Sequence, residues 1–259
     1  MTLTINAAQL LQALKAAKVT TKSSATDETK NIRLSTCRIP TLSASDESAA
    51  GHTTYLVAAG YDGIMYGQAV APGNGDMFEP VLLDPTVVAW VETAVKTVKT
   101  KTKAKNEDID IALSVNETTR QMTYTTLLNG EKTADSVVGQ FPIYDDAYDV
   151  DQVALSLTPP IRNTVEGPTD QQPIPADAAV GFDSHMLGAL KSVLSAYSSE
   201  GLPIRVYWRG NPANDRIVAV GDKWRGTIPG VVLDFAHSDP YEPDLPVLVK
   251  SGDEEADEQ

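Results

Sequence analysis

The sequence predicts an α+β fold in which antiparallel sheets are covered by amphipathic helices, arranged as two domains. Three observations carry that expectation. Most of the chain alternates apolar and polar residues in short runs separated by turn residues, the period of half-buried strands. Only three segments place apolar residues at helical spacing. Between the second and third of them, Phe141 to Ala179 is rich in Pro and Asp and holds one convincing strand, which puts a domain boundary near residues 142–150.

Taken in order, Leu3 to Ile5 alternates as a strand, and Asn6 is placed to cap a helix that runs to Lys18, because a short amide side chain can accept from the unpaired N–H groups of a first turn. Ala7, Leu10, Leu11, Leu14 and Ala17 form its apolar stripe. Strands follow at Asn31 to Thr36, Thr54 to Ala59 and Ile64 to Val70, with Gly60-Tyr-Asp-Gly63 as the turn between the last two. Asp84-Pro85 then pairs a capping residue with a proline whose fixed φ suits a first helical position, and the helix extends to about Lys99. Its face of Val87, Trp90, Val91, Ala94, Val95 and Val98 is expected to be buried, with Lys96, Lys99 and Lys103 opposite.

Further strands are Ile109 to Val115, Gln121 to Leu127 and Thr133 to Val138, with Asn129-Gly130 as a turn, and then Val153 to Leu157. A third helix, Ser184 to Tyr197, buries Met186, Leu187, Leu190, Val193, Leu194 and Tyr197; His185, Gly188, Ala189, Ser192, Ala196 and Ser199 lie on its far face, with Lys191 at the margin. Ile204 to Arg209, Arg216 to Val220 and Trp224 to Ile228 complete the strands. A helix followed by strand, turn and strand occurs over 84–138 and again over 183–232, a repeat of pattern more than of residue identity. The organisation expected is a first domain over 1–145, a linker or degenerate half-domain over 146–180, a second domain core over 181–236, and a disordered acidic tail over 237–259.

Charge and chemistry narrow the function. The 259 residues carry 35 Asp and Glu against 21 Lys and Arg, a formal charge of -14, which argues against an open basic groove for nucleic acid. His52, His185 and His237 lie far apart without metal-ligand spacing, the acids at Asp145, Asp146, Asp149 and Asp151 lack the glycine of a calcium loop, and no phosphate-binding loop or nucleophile elbow occurs. No metal, no cofactor and no catalytic set is therefore expected; Asp62, Asp222 and Asp234 stand at strand ends, but nothing pairs them. No apolar run approaches a membrane span, the chain does not open on a basic leader, and the single Cys37 fits a reducing cytoplasm.

The scarce positive charge is clustered. Lys96, Lys99, Lys101, Lys103 and Lys105 fall in one window without an acid, and Lys15, Lys18 and Lys22 close the first helix with none before Asp27. Lysines opposite an apolar stripe are ordinarily a wet face. With a Debye length of ~10 Å at 0.1 M salt, however, such a cluster also presents a locally positive surface that the acidic exterior does not cancel.

These residues resemble the ring-shaped sliding clamps of replicative DNA polymerases, in particular the bacterial DNA polymerase III β clamp and its viral relatives. Leu3-Thr-Ile-Asn-Ala-Ala-Gln-Leu-Leu-Gln-Ala-Leu is similar to that family's opening strand and helix, Tyr55-Leu-Val-Ala-Ala-Gly-Tyr-Asp62 to a strand ending in an acidic turn, and Phe141-Pro142 to the end of a clamp domain. Phe182-Asp-Ser-His-Met-Leu-Gly-Ala-Leu-Lys191 and Ile228-Pro-Gly-Val-Val-Leu233 resemble its later helix and last strand. The likeness covers roughly residues 1–142 and 180–234, and it lies in the order of these segments.

The resemblance implies the DNA-clamp fold, with sheets outside and helices lining an inner face. It also implies a bacteriophage two-domain member that assembles as a homo-oligomeric ring, a trimer by analogy with other two-domain clamps. Such a ring encircles double-stranded DNA without reading sequence and tethers a DNA polymerase. Lys15, Lys18, Lys22, Lys96, Lys99, Lys103 and Lys191 would then face DNA. A polymerase or clamp-loader peptide would sit in an apolar pocket whose matching positions include Phe141, Ile143, Val231 and Leu233. Trp208-Arg-Gly210 and Trp224-Arg-Gly226 are expected to pack across neighbouring strands, with Arg209 and Arg225 available to a subunit interface. A rival reading of the same β-rich, non-catalytic sequence is a structural or assembly protein of a virion.

Overall fold

The computed structural model describes residues 2–22, 30–40, 52–62, 65–145, 172–173, 184–208 and 216–228. Along them run β1 (Thr2–Asn6), α1 (Ala7–Val19), β2 (Ile32–Pro40), β3 (His52–Tyr61), β4 (Tyr66–Gly75), β5 (Val81–Leu83) and α2 (Val87–Thr102). A 3₁₀ turn at Asn106–Asp108 leads into β6 (Ile109–Asn116), β7 (Gln121–Leu128), β8 (Val138–Pro142) and β9 (Tyr144–Asp145). Then come β10 (Gln172–Pro173), α3 (Ser184–Ala196), β11 (Ile204–Trp208), β12 (Arg216–Val220) and β13 (Trp224–Ile228). Helix followed by three strands thus occurs three times, as α1-β2-β3-β4, α2-β6-β7-β8 and α3-β11-β12-β13; the sequence pattern reveals the last two units.

Every pairing is antiparallel, and β4 is the branch point of the network. Along one edge it pairs with β3 from Tyr66 to Gly73, opening the path β4-β3-β2-β5-β9. Its other edge is divided: Tyr66 to Ala69 pair with β13, and Gly73 to Gly75 pair with β1. The second path therefore runs β10-β11-β12-β13-β4-β1-β6-β7-β8.

One continuous apolar core joins these strands to the helices. α1 lies on β3 and β4 and is flanked by α2 and α3. Its buried Ala7, Ala13, Ala16 and Ala17 let it sit close, and Gly60 accommodates the last turn, since a Cβ there would lie 2.3 Å from the Ala17 carbonyl oxygen. α1 and α2 are antiparallel. Lys15 near the end of α1 meets Glu92 near the start of α2, and Asn6 ahead of α1 donates to the carbonyls of Glu107 and Ile109 beyond the end of α2.

Helix ends follow their caps. The Asn6 side chain accepts from the Ala8 N–H at 3.0 Å, as the sequence predicts. Asp84-Pro85 caps one turn early: Asp84 Oδ1 accepts from the Thr86 N–H at 2.9 Å, and regular helix begins at Val87. α2 also runs past Lys99 to Thr102, where Lys103 adopts φ +57 and closes the last turn onto the Lys99 carbonyl.

Other expectations are corrected. Trp90, expected in the core, is 55% exposed; Val88 occupies the buried arc in its place, and the indole lies at the helix margin, edge-on to Phe141. Leu187 is 50% exposed at the corresponding margin of α3. Thr133 to Ser136 is a turn, because the Ser136 N–H donates to the Thr133 carbonyl and Ser136 Oγ accepts from the Thr133 N–H, so the strand starts at Val138. Asn129 and Gly130 do turn, both at positive φ. The expected strand Val153 to Leu157 and the 237–259 tail lie outside the described residues.

Packing is tight beneath Phe141, which stacks on Tyr124 at 5.0 Å with the rings 14° from parallel. A Cβ on Gly139 would come within 2.2 Å of the Tyr124 ring, which is only 4% exposed and stacked on Phe141. Gly139→Ala is therefore expected to destabilise by about 1–3 kcal/mol, the usual range for overpacking, read as a lower urea midpoint. An unchanged midpoint would show that the ring is free to move.

Candidate nucleic-acid interface

The three helices present one outward surface, and the sequence decides what it carries. In α1, Leu10, Ala13, Leu14 and Ala17 turn to the sheets, which leaves Gln12, Lys15 and Lys18 on the other side. In α2, Val87, Val91, Ala94, Val95 and Val98 are inward, which turns Ala89, Thr93 and Lys96 outward. In α3, Met186 and Val193 are buried, and Gly188, Ser192 and Ser195 face out with Lys191.

The lysines named from sequence divide into two kinds. Lys15 is paired: its Nζ is 3.1 Å from Glu92 Oε1 across the α1–α2 seam, with both side chains about half exposed. Lys18, Lys22, Lys96, Lys103 and Lys191 are exposed and Lys99 is half-buried; none of the six makes an ion pair among the described residues. Of the window that looked free of acids, Lys101 reaches Asp135 at 3.8 Å and Lys105 reaches Glu107 at 3.6 Å, acids that lie outside the window. Because the helices are antiparallel, Lys18 and Lys22 stand at one end of the pair, and Lys96, Lys99 and Lys103 lie toward the other.

Hydroxyl groups add few donors to this surface. Thr93, Thr97 and Thr100 each donate to the carbonyl four residues back at 2.8–2.9 Å, and Ser192 and Ser195 do the same at 3.0 and 2.9 Å. Each hydroxyl has one hydrogen, so the ammonium groups are the main charged donors left to meet an anion. A Cβ at Gly188 would meet nothing within 4 Å, so α3 adds a low, nearly featureless surface.

At the start of α2, the Thr86 backbone N–H holds the Asp84 carboxyl below its ordinary value of 3.8; burial opposes this shift, and Lys30 and Lys18 add to it. A carboxyl whose folded pKa is depressed adds stability that is present above the unfolded pKa and lost as pH falls through the folded one. Asp84→Asn keeps the acceptor and removes the charge. It is expected to flatten the acid limb of Tm measured from pH 5 to pH 2; equal acid limbs would deny Asp84 that role.

Of the positions named for a partner peptide, Phe141 and Ile143 are buried at 7% and 6% exposure, and Val231 and Leu233 lie outside the described residues. A hollow of about 370 Å³ opens between Trp90 and Thr93 of α2 and Tyr124 and Val137, and neither Phe141 nor Ile143 lines it. The two tryptophan repeats are not neighbours: β12 separates β11 from β13, with Trp208 opposite Arg216 and Trp224 opposite Val220. Trp224 is fully buried over glycines, with Gly67 and Gly226 giving it room against Thr20. Arg225 is 1% exposed, so in this fold it is an interior residue.

Among the described residues there is no group of three or more His, Cys, Asp or Glu that could hold a metal ion, and no helix is long and apolar enough to cross a membrane.

No protein-family model and no curated protein matches the chain by sequence. Solved structures match it by fold. The β chain of DNA polymerase III from Streptococcus pneumoniae superposes with a TM-score of 0.57 at 9% identity, over 93% of this chain and 68% of that one. The β subunit from Borrelia burgdorferi gives 0.58 at 11%, over 94% and 67%. The DNA polymerase sliding clamp from Caulobacter crescentus gives 0.56 at 12%, over 94% and 69%. The chain has the DNA-clamp fold, in α+β form with antiparallel sheets.

Proposed function

We propose that this chain is a sliding clamp: copies of it form a ring around double-stranded DNA and tether a replicative DNA polymerase, with no catalytic step of their own. The observation that carries the reading is the helix layer, where six lysines without an ion-pair partner among the described residues stand on, or just past the ends of, helices whose opposite faces are locked into the sheets. Ammonium groups on flexible stems meet phosphates without reading bases, so contact is independent of sequence and sensitive to salt. Tethering keeps a released polymerase near its primer end at high effective concentration. Lys18, Lys22, Lys96, Lys99 and Lys103 are the principal contacts, Lys191 a lesser one, and Lys15 contributes once Glu92 releases it.

The finer assignments extend that reading. Residues 1–145 and 181–236 form two domains, three chains close the ring, and the region of Val231 and Leu233 receives a short peptide from polymerase or loader. The chain works in the cytoplasm of a bacterial host as a phage-encoded clamp.

Threading tests the ring directly and needs no loader. On linear duplex biotinylated at both ends, protein added before streptavidin is expected to survive a wash with about 0.5 M salt, because blocked ends trap a ring whatever its electrostatic affinity. Protein added after streptavidin is expected to wash away. Retention that ignores the order of addition, or a monomer at every concentration in native mass spectrometry, rejects the clamp.

A further inference from the structure

The acidic segment after β13 has a surface within its reach that matches it. Residues 237–259 carry eight acids and one lysine. Thr227 of β13 pairs with Tyr66, one residue from Gly67, and a Cβ at Gly67 would come within 2.9 Å of Thr20, just past the end of α1. The chain therefore leaves the sheet at Ile228 beside the end of α1 that bears Lys18 and Lys22. Five of the eight acids fall in 253–258. Even with residues up to 236 held in the second domain, the sixteen residues 237–252 span at most about 58 Å at a maximal rise of about 3.3–3.6 Å per residue, longer than the ~20 Å of α1, so these acids can reach the lysine face.

We propose that residues 237–259 dock on the lysine face of α1, α2 and α3 of their own chain and compete there with duplex DNA as an internal polyanion. The DNA part rests on the clamp reading; the docking does not. Neither surface has another described partner: the lysines make no ion pair among the described residues, and Lys96 and Lys99 are the main donors that α2 offers. Tethering sets an effective concentration of about 1–10 mM, and against a segment affinity of about 1 mM the face is open roughly a tenth to half of the time. Apparent affinity for DNA falls by the same fraction, about two- to tenfold. The device acts as a threshold, because only a dense array of phosphates displaces a tethered competitor.

Two readouts on the full chain separate the docking from the clamp. In the absence of DNA at 50 mM salt, zero-length carbodiimide coupling is expected to join lysines among 18, 22, 96, 99, 103 and 191 to acids of 237–259. The links should be lost at 300 mM salt, and in a mixture of ¹⁴N and ¹⁵N chains they should form within one isotope. A full-length variant with Asp253→Asn, Glu254→Gln, Glu255→Gln, Asp257→Asn and Glu258→Gln is expected to bind a 40-base-pair duplex two- to tenfold more tightly by anisotropy, with the gain shrinking as salt rises. Tighter binding without cross-links means repulsion at a distance and overturns the docking, as do mixed-isotope links or no change in either readout. Cross-links in a protein that shows no affinity for duplex uphold the docking and count against the clamp.

Discussion

Replacing Trp224 with alanine is expected to lower stability by about 3–5 kcal/mol, the range for removing a buried aromatic that its surroundings cannot fill. The site cannot collapse easily, because glycine backbone of β4 and β13 lies directly against the indole. A Cβ on Gly226 would stand 2.3 Å from the ring, and one on Gly67 would stand 2.8 Å from it. The position also joins two repeats, since Trp224 opens the strand that pairs with β4 and lies below the end of α1. Loss should therefore appear first in the third unit, as faster amide exchange in β11 to β13 than in β6 and β7. Trp224→Phe is the informative control. The indole N–H is buried with no acceptor among the described residues, so phenylalanine removes an unmet donor while keeping most of the apolar area, and its cost is expected to stay within about 1 kcal/mol. A small loss in the alanine variant, or exchange rising equally in every strand, would refute this role for Trp224.

Duplex affinity is expected to fall about 10³-fold between 50 and 200 mM salt if the six unpaired lysines meet phosphates, since each contact contributes about 0.9 to the logarithmic slope. Lys96→Ala with Lys99→Ala and Lys103→Ala is then expected to halve the slope, leaving a fall of about 40-fold over the same range. Sequence of the duplex should make no difference. Lys101→Ala is the matched control, because its ammonium already reaches Asp135 on the side of α2 toward the β7–β8 turn, and the slope should stay as in the parent. A triple variant with the parent slope would place DNA elsewhere. Anisotropy with a short duplex measures all of these without assembling a replication reaction.

Features set by a few adjacent residues were legible in the sequence. The Asn6 cap, the Asn129-Gly130 turn and the alternation of β6 and β7 each depend on neighbours in the chain, and each stands where the sequence puts it. What was not legible depends on distant partners. The period of α2 identifies an apolar stripe but not which of its two margins is covered, so Trp90 and Val88 exchange roles. β5, β9 and β10 span three, two and two residues, too short for alternation to register. The lysine window looked uniform because Asp135, which engages Lys101, lies well beyond it in sequence. The same holds for Lys15 and Glu92, which are joined only when two helices lie antiparallel. The elements of the first helix–three-strand unit are predicted one by one but not as a repeat, because the polar stretch 41–51 separates its first two strands.

If duplex DNA lies on this face, as the clamp reading proposes, the inward-turned hydroxyls of Thr93, Thr97 and Thr100 bear on motion as well as on binding. A hydroxyl held at a fixed angle would favour particular phosphates and leave wells along the duplex, each an obstacle to translation. Mobile four-carbon arms give nearly the same energy at every rise of the double helix. On that reading such a surface would confine a polyanion with little friction, as a bearing confines a shaft.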